Sequence, residues 1–264
     1  MVNITSASND KIKNIKKLLK SSKERNEQGV FIVEGIRMFK EIPKESINSI
    51  FVSENFYDKN KELVDSFGLE AYVVSDNIFG GISDTGTPQG VLALVNMFSY
   101  DIDEVICGID TENDKSPFVI IAERLQDPGN LGTIIRTSEG AGATGIMLSK
   151  DSVDIYNPKV VRSTMGSIFR VPIYISEDLK SDIDYIKSKG VTIYGAHLEG
   201  RDFYEKNFAN ACGFLIGNEG NGLSEEISQT ADDLIRIPMK GKVESLNAAT
   251  SVAVISYEVL RQRL

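Results

Sequence analysis

The sequence predicts two α/β domains, a small one first and a larger, doubly wound one behind it. Short apolar runs typical of buried strands alternate with helical patterns along most of the 264-residue chain. The alternation is loose in the N-terminal part and regular from residue 118 onward. Residues 98–117 are acidic and weakly patterned, so we interpret them as a linker between a domain at 1–97 and a domain at 118–264.

The first predicted helix covers residues 11–22. Ile12, Ile15 and Leu18 recur at helical spacing with lysines between them, and Asn9 precedes them as a cap. The expected helix is amphipathic, with an apolar side toward the core and a basic side toward solvent. Strands are predicted behind it in GVFIVEG, SINSIFVS, AYVVS and GVLALVNM, with a helix in IRMFKEI and polar or glycine-bearing turns between the later strands.

In the second domain, six short apolar runs are predicted to form a parallel sheet: FVIIA, GIMLS, VPIYI, VTIYGAHL, GFLIG and LIRIPM. Asp127 and Pro128 are a typical cap and first-turn proline, so a helix is predicted from there to Gly140. Further helices are predicted over residues 157–168, 177–189, 224–232 and 245–264. Strands that alternate with helices in this way indicate a doubly wound fold.

The distribution of charge points to a local nucleic-acid contact. The formal net charge of −9 alone argues against a nucleic-acid partner, because phosphates are bound by basic side chains. Residues 1–40, however, carry nine basic and four acidic side chains, a net of +5, and leave −14 for the remainder. A basic N-terminal face on an acidic body is typical of a local nucleic-acid contact, although composition alone favours the alternative of an ordinary solvated helix face.

Cysteine and histidine are scarce: Cys107 and Cys212 lie far apart, and His197 is the only histidine. A disulfide framework and a cysteine or multi-histidine metal site are therefore not expected. Both cysteines are predicted to be small buried residues. The first residues lack the features of a secretion signal, and no apolar stretch approaches the roughly 18 residues of a membrane span, so we expect a cytoplasmic protein.

Three loops that follow predicted strands carry the side chains suited to chemistry. AERLQDPGNLGTIIRT holds Asn130 and Arg136, IGNEGNGLSEE holds Glu219, and MKGKVESLNAAT holds Ser245 and Asn247. In an open α/β sheet such loops surround the ligand. GNEGNG matches neither a dinucleotide fingerprint nor a P-loop, and a carboxylate among glycines favours a neutral or positively charged ligand over a phosphate.

Taken in order, Asn130-x-Gly-x-x-x-Arg136, IGNEGNGLSEE and IPMKGKVESLNAATSVAVISYE resemble the three signature motifs of the SpoU/TrmH family of RNA ribose 2'-O-methyltransferases. The resemblance covers residues 118–264, and the N-terminal part is similar to the ribosomal-protein-like α/β substrate-binding domain of many members. It implies a SPOUT fold with a trefoil knot, S-adenosylmethionine as cofactor, and a homodimer. It also implies an RNA substrate, with large-subunit ribosomal RNA favoured over transfer RNA.

The resemblance implies roles for individual residues. Arg136 corresponds to the family's catalytic arginine, assisted by Asn130, Glu219, Ser245 and Asn247. A guanidinium has a pKa above about 12, so Arg136 is expected to position the ribose or a phosphate rather than to accept a proton. The positions that match the cofactor loops are Leu198, Gly200, Ile216, Gly217, Gly220, Ile237, Met239, Ser245 and Leu246. The expected RNA contacts are Lys13, Arg25 and Arg136, and the same N-terminal pattern includes Asn9 and Glu34.

Simpler structural roles compete with these assignments. Asn130 and Ser245 could be helix caps, Arg136 an ion-pair partner of Glu139, and Glu219 a first-turn acid. A catalytically silent RNA-binding or ribosome-assembly protein is the second hypothesis for function, and the intact motif residues disfavour it. A nucleotide-binding oxidoreductase is the third, disfavoured by the missing GxGxxG pattern.

Overall fold

The computed structural model describes residues 2–109 and 116–264, which fall into two units. The first unit contains the chain up to Phe98 together with Asp154–Phe169. The second contains Ser99–Val153 and Arg170–Leu264. Of the predicted linker, residues 110–115 lie outside the described part of the chain.

The first unit is built on a mixed sheet of five strands, in the order β1-β4-β3-β5-β2. Strands β1, β4 and β3 are parallel, and β5 runs antiparallel to both β3 and β2. The four predicted strands of this region are confirmed, while the short β1 was not predicted. The strands are β1 (Val2–Ile4), β2 (Val30–Glu34), β3 (Ile47–Ser53), β4 (Ala71–Val74) and β5 (Val91–Asn96).

Five helices connect these strands: α1 (Asp10–Lys20), α2 (Ser22–Gln28), α3 (Ile36–Glu41), α4 (Glu54–Asp65) and α5 (Asp76–Gly80). The amphipathic α1 is confirmed, since its Ile12, Ile15 and Leu18 are buried and the Asn9 side chain accepts a hydrogen bond from the Lys11 N–H. The turn predicted between β3 and β4 is wrong. That stretch forms α4 because its Phe56 and Val64 can be buried on one side of a helix.

The second unit contains a sheet of six parallel strands in the order β11-β9-β10-β6-β7-β8. All six predicted strands are confirmed, and β10 lies between β9 and β6. Parallel order brings the loops that follow β6 and β10 to the same edge of the sheet. The strands are β6 (Phe118–Ala122), β7 (Gly145–Ser149), β8 (Ile173–Ser176), β9 (Thr192–Asp202), β10 (Cys212–Ile216) and β11 (Asp233–Arg236).

The remaining helices are α6 (Ile102–Cys107), α7 (Pro128–Gly140), α8 (Pro158–Thr164), α9 (Leu179–Ser188), α10 (Glu225–Ser228) and α11 (Ala248–Arg263). The start of α7 is as predicted, with the Asp127 side chain accepting a hydrogen bond from the Asn130 N–H. Helix α6 lies within the predicted linker. Helix α11 begins after Asn247 rather than at Ser245, because the Asn247 side chain accepts hydrogen bonds from the Ala249 and Thr250 N–H groups.

The two cysteines differ in exposure. Cys107 is exposed at the end of α6, so the prediction that it is buried is wrong. Cys212 is buried in β10 as predicted, and burial raises the pKa of its thiol to about 11.

Helix α8 belongs to the first unit although it lies between β7 and β8 in the chain. The ring of Tyr156, just before α8, lies 4.5 Å from the ring of Phe31 in β2, and its hydroxyl contacts the backbone of Phe98. Asp154 accepts a hydrogen bond from the Arg25 guanidinium at 2.5 Å. These contacts attach a segment from the middle of the chain to the N-terminal sheet.

Candidate active site

A cavity of about 400 Å³ lies beside β9 and beyond the carboxyl ends of β10 and β11. Eight of the nine residues predicted to bind a cofactor line it. Gly200 is the exception, because it is buried where β9 meets β11. A Cβ atom at Gly200 would lie 2.4 Å from the backbone carbon of Ile235, so the glycine permits the two strands to approach each other.

The loop after β10 closes on itself. The backbones of Asn218 and Gly222 exchange two hydrogen bonds, and the Asn218 side chain accepts one from the Gly220 N–H at 2.9 Å. A Cβ atom at Gly217 would lie 2.1 Å from backbone atoms of Gly222 and Leu223, so only glycine fits there. Gly217 is therefore needed for the tight loop that lines the cavity.

Glu219 ties this loop to the start of α7. One carboxylate oxygen accepts hydrogen bonds from the Asp127 N–H at 3.0 Å and the Asn130 amide at 3.1 Å, and the other accepts one from the Gln126 N–H at 3.1 Å. Burial alone raises the pKa of Glu219, but these hydrogen bonds outweigh it and the net shift is downward. Glu219 therefore lies in a loop and binds N–H groups just before α7, so it is not a first-turn acid of α10, the helix that follows it in the chain.

Asn130 extends this connection to the third loop. Its side-chain oxygen accepts a hydrogen bond from the Asn247 amide at 3.0 Å, while its own amide donates to Glu219. Asn247 in turn caps α11. We call Glu219, Asn130 and Asn247 the carboxamide chain. It joins all three motif loops. The alternative role of Asn130 as a helix cap is wrong, because Asp127 is the cap of α7.

Arg136 and Ser245 stand outside the carboxamide chain. Arg136 is exposed on α7, six residues and so about 9 Å along the helix axis from Asn130, and it does not line the cavity. Glu139, its proposed ion-pair partner, binds Arg170 at 3.0 Å instead. The Arg136 side chain has no hydrogen bond or ion pair within residues 2–109 and 116–264. Ser245 is exposed and lines the cavity, and Asn247 rather than Ser245 is the cap of α11.

Sequence analysis did not predict one buried carboxylate, which directly follows β6 at the edge of the sheet where the motif loops lie. Glu123 is 6% exposed, accepts a hydrogen bond from the Ser224 N–H at 2.8 Å, and pairs with Arg124 at 3.1 Å. Arg124 has a positive φ of 51°, which is uncommon for a residue with a side chain. Its carbonyl accepts a hydrogen bond from the Asn218 amide at 2.8 Å. A charged pair directly after the apolar run FVIIA was the signal that could have marked it.

The predicted RNA contacts of the first unit differ in accessibility. The Lys13 side chain is 57% exposed, and its ammonium group pairs with the exposed Asp10 at 3.3 Å. The prediction for Arg25 needs correction, because its side chain is 4% exposed and donates to Asp154 and to the Leu18 carbonyl. Glu34 is likewise buried, and its carboxylate accepts hydrogen bonds from the loop at residues 83–85.

The described residues contain neither a membrane-spanning helix nor a cluster of metal-binding side chains. No helix among them is long and apolar enough to cross a membrane. Within the same residues, no group of three or more histidine, cysteine, aspartate or glutamate side chains is arranged to hold a metal ion.

Comparison with known proteins identifies a family model for each of the two parts of the chain. Residues 117–257 match the SpoU rRNA methylase family, and residues 9–93 match the MRM3-like substrate-binding domain. A Bacillus subtilis protein, the 23S rRNA (guanosine(2553)-2'-O)-methyltransferase RlmP, is 30% identical over 263 residues, which are 98% of this chain and 99% of the relative.

Two solved structures are similar to this chain over nearly its whole length. The SpoU methyltransferase AviRb from Streptomyces viridochromogenes is 26% identical with a TM-score of 0.85, covering 97% of this chain and 98% of its own. An AdoMet-bound rRNA methyltransferase from Sinorhizobium meliloti is 28% identical with a TM-score of 0.86, covering 99% of this chain and 98% of its own.

Proposed function

The chain belongs to the SpoU rRNA methylase family, and we propose that it transfers a methyl group from S-adenosylmethionine to a ribose 2'-hydroxyl of large-subunit ribosomal RNA. The observation that carries this proposal is the carboxamide chain, which brings three separate motif loops together beside one cavity. The 23S rRNA methyltransferase among the relatives and the AdoMet-bound neighbour support the substrate and the cofactor.

The cavity suits S-adenosylmethionine in size and chemistry. Its volume of about 400 Å³ falls within the roughly 300–1,000 Å³ of small-molecule sites. Ile216, Met239 and Leu246 supply apolar surface for the adenosine part, and Gly217 and Gly220 leave backbone groups accessible for hydrogen bonds. When bound, the cofactor supplies a methyl group activated by a sulfonium.

The carboxamide chain has a positioning role in this proposal. The lowered pKa keeps Glu219 ionised at neutral pH, and hydrogen bonds from Gln126, Asp127 and Asn130 hold it at the start of α7, so it fixes the glycine loop while it lines the cavity. The hydrogen bond between Asn130 and Asn247 then fixes the position of the loop that carries Ser245 relative to the other two motif loops. A fixed arrangement of the loops aligns the ribose hydroxyl with the methyl group, which is where most of the rate gain of a methyl transfer is expected.

Arg136 is the residue we propose at the reacting hydroxyl. Because its guanidinium is exposed and unpaired within the described chain, it is free to bind a phosphate or the ribose of incoming RNA. Its charge stabilises the ribose oxygen as the hydroxyl proton passes to solvent water and the oxygen takes the methyl group. Ser245, which lines the cavity, is proposed to orient the same hydroxyl.

The RNA is proposed to lie on the basic face of the first unit, where Lys13 on α1 is exposed. The trefoil knot and the homodimer expected from the family belong to this proposal, as does a place of action in the cytoplasm. Transfer RNA is the second candidate substrate, because several relatives carry the name of a tRNA/rRNA methyltransferase.

The test is a calorimetric titration with S-adenosylmethionine and S-adenosylhomocysteine, followed by methyl transfer to unmodified 23S rRNA and to bulk tRNA. We expect micromolar binding, and a methyl group on 23S rRNA that blocks alkaline cleavage at one linkage. Transfer to tRNA alone would replace the substrate. Binding without transfer to either RNA would favour the silent RNA-binding protein, and binding of NAD(P)H alone would revive the oxidoreductase.

A further inference from the structure

The glycine loop between β10 and α10 is anchored to the segment after β6 at three places. Its middle is held through Glu219, which belongs to the carboxamide chain. Its beginning is held through Asn218 and its end through Ser224. Both of these outer contacts lead to two neighbouring residues, Glu123 and Arg124.

Asn218 organises the beginning of the loop. Its side-chain oxygen accepts hydrogen bonds from the Gly220 and Asn221 N–H groups at 2.9 and 3.1 Å. Its side-chain amide donates to the Arg124 carbonyl at 2.8 Å. The direction of that one carbonyl therefore determines where Asn218 is held, and the turn of the glycine loop is built on Asn218.

The backbone of Arg124 is left-handed, with a φ of 51°. In this conformation its N–H donates to the Ser149 hydroxyl at 2.8 Å, while its carbonyl accepts from Asn218. A left-handed backbone is unfavourable for a residue with a side chain, whereas glycine adopts it freely. The backbone alone therefore does not explain why residue 124 is an arginine.

The Arg124 side chain is needed by Glu123, which is only 6% exposed. One oxygen of the Glu123 carboxylate pairs with the Arg124 guanidinium at 3.1 Å, and the other accepts a hydrogen bond from the Ser224 N–H at 2.8 Å. A buried carboxylate requires both a counter-charge and hydrogen-bond donors. Arg124 supplies the charge, and Ser224, the cap of α10, supplies a donor from the end of the glycine loop.

We infer that Glu123 and Arg124 form a clamp that holds both ends of the glycine loop in the conformation that lines the cavity. Both are positioning residues, because neither lines the cavity itself. The inference rests on the proposed function, in which S-adenosylmethionine occupies that cavity. A loop that is in its binding conformation for only part of the time lowers the apparent affinity by that fraction. Loss of the clamp therefore weakens cofactor binding without removing a residue of the cavity wall.

Arg124 is tested by two variants that both lose the guanidinium. Arg124→Gly permits the left-handed backbone, and Arg124→Val disfavours it because β-branched residues rarely adopt a positive φ. We expect the valine variant to bind S-adenosylhomocysteine about tenfold more weakly than the glycine variant, as for a loop that is competent roughly a tenth of the time. Calorimetric titration measures the difference. Equal affinities would show that the backbone of residue 124 does not position the loop, and would overturn the clamp.

Glu123 is tested by Glu123→Ala, with Glu123→Gln as the matched variant. The glutamine oxygen can still accept a hydrogen bond from the Ser224 N–H, whereas alanine cannot. We expect Glu123→Ala to weaken S-adenosylhomocysteine binding about tenfold and Glu123→Gln by less than about threefold. In methyl transfer the alanine change should raise the KM for S-adenosylmethionine more than it lowers kcat. Equal weakening by both variants would overturn the contact with Ser224. If thermal melting shows that the alanine variant does not fold, the two Arg124 variants decide.

Hydrogen exchange tests the loop without a ligand. The Gly220 and Gly222 N–H groups bind Asn218, so their exchange should be faster in Arg124→Val than in Arg124→Gly, while the amides of α1 exchange equally in both. Unchanged exchange in the loop would overturn the clamp. Faster exchange throughout the chain would reduce it to general stability and overturn the positioning role. If the unaltered protein binds neither S-adenosylhomocysteine nor S-adenosylmethionine, the proposed function fails, and the exchange rates still decide whether the clamp exists.

Discussion

Two charged residues of the first unit and two of the second are used in opposite ways. In the first unit, Arg25 and Glu34 are buried and their hydrogen-bonding groups are engaged by the protein. In the second, Arg136 and Arg236 are exposed and have no acidic partner in the described chain. The first arrangement stabilises a fold, and the second leaves donors available for ligands. Charged residues that look alike in the sequence therefore have different roles, and burial decides which.

The carboxamide chain combines both uses at one place. Its carboxylate is engaged as completely as the buried groups of the first unit, yet Glu219 lines the cavity. Rigid support next to free donors is the arrangement expected of a site that must hold a substrate in one geometry. Four substitutions test this contrast between supporting and ligand-facing charges.

Arg136→Ala should have the largest effect. Loss of the guanidinium should lower single-turnover methyl transfer by about 100-fold or more, as for removal of a group that stabilises developing charge. Cofactor affinity should stay within a few-fold, because Arg136 does not line the cavity. Arg136→Lys is the matched variant: it keeps the charge but not the fork, so partial activity is expected. Parallel loss of turnover and cofactor affinity would make Arg136 a structural residue like Arg25.

Arg25→Ala should act on stability instead. The change leaves Asp154, whose side chain is 24% exposed, without its partner, so we expect the free energy of unfolding to fall by roughly 3 kcal/mol in urea titrations. Lys23→Ala, which removes an exposed ion pair with Glu27, should cost less than about 0.5 kcal/mol. Weaker RNA binding by Arg25→Ala at unchanged stability would restore Arg25 as an RNA contact.

Glu219→Gln should produce an effect that depends on pH. Because hydrogen bonds lower the pKa of Glu219, its ionised form contributes stability above the unfolded pKa of about 4.3, and this is lost as pH falls through the lower folded pKa. The variant should be less stable than the original protein at pH 7 by less than about 1 kcal/mol, because Glu219 is exposed and solvent screens its interactions. The difference should shrink toward zero below that range. A difference that stays constant in acid would assign the loss to packing of the glycine loop.

Local patterns were enough to predict most of the fold but little of the site's connectivity. The six parallel strands are continuous apolar runs, and α7 carries its own cap and proline, so each could be predicted from neighbouring residues. Helix α4 was missed because few apolar residues mark it among many polar ones. The partners of Asn130 lie 89 and 117 positions away, and Asp154 lies 129 positions from Arg25, so no local pattern could pair them.

Lys13→Ala should have the smallest effect and tests the RNA face of the first unit. The exposed ammonium group pairs with the exposed Asp10, an interaction that solvent screens, so folding stability should not change. If Lys13 binds a phosphate, the slope of log affinity against log salt should decrease by about one, equally for substrate and unrelated RNA. Lys61→Ala, on α4, is the control and should leave the slope unchanged. An identical slope for the Lys13 variant would move the RNA to another surface, and the positive charge of α1 would then be an ordinary solvated helix face.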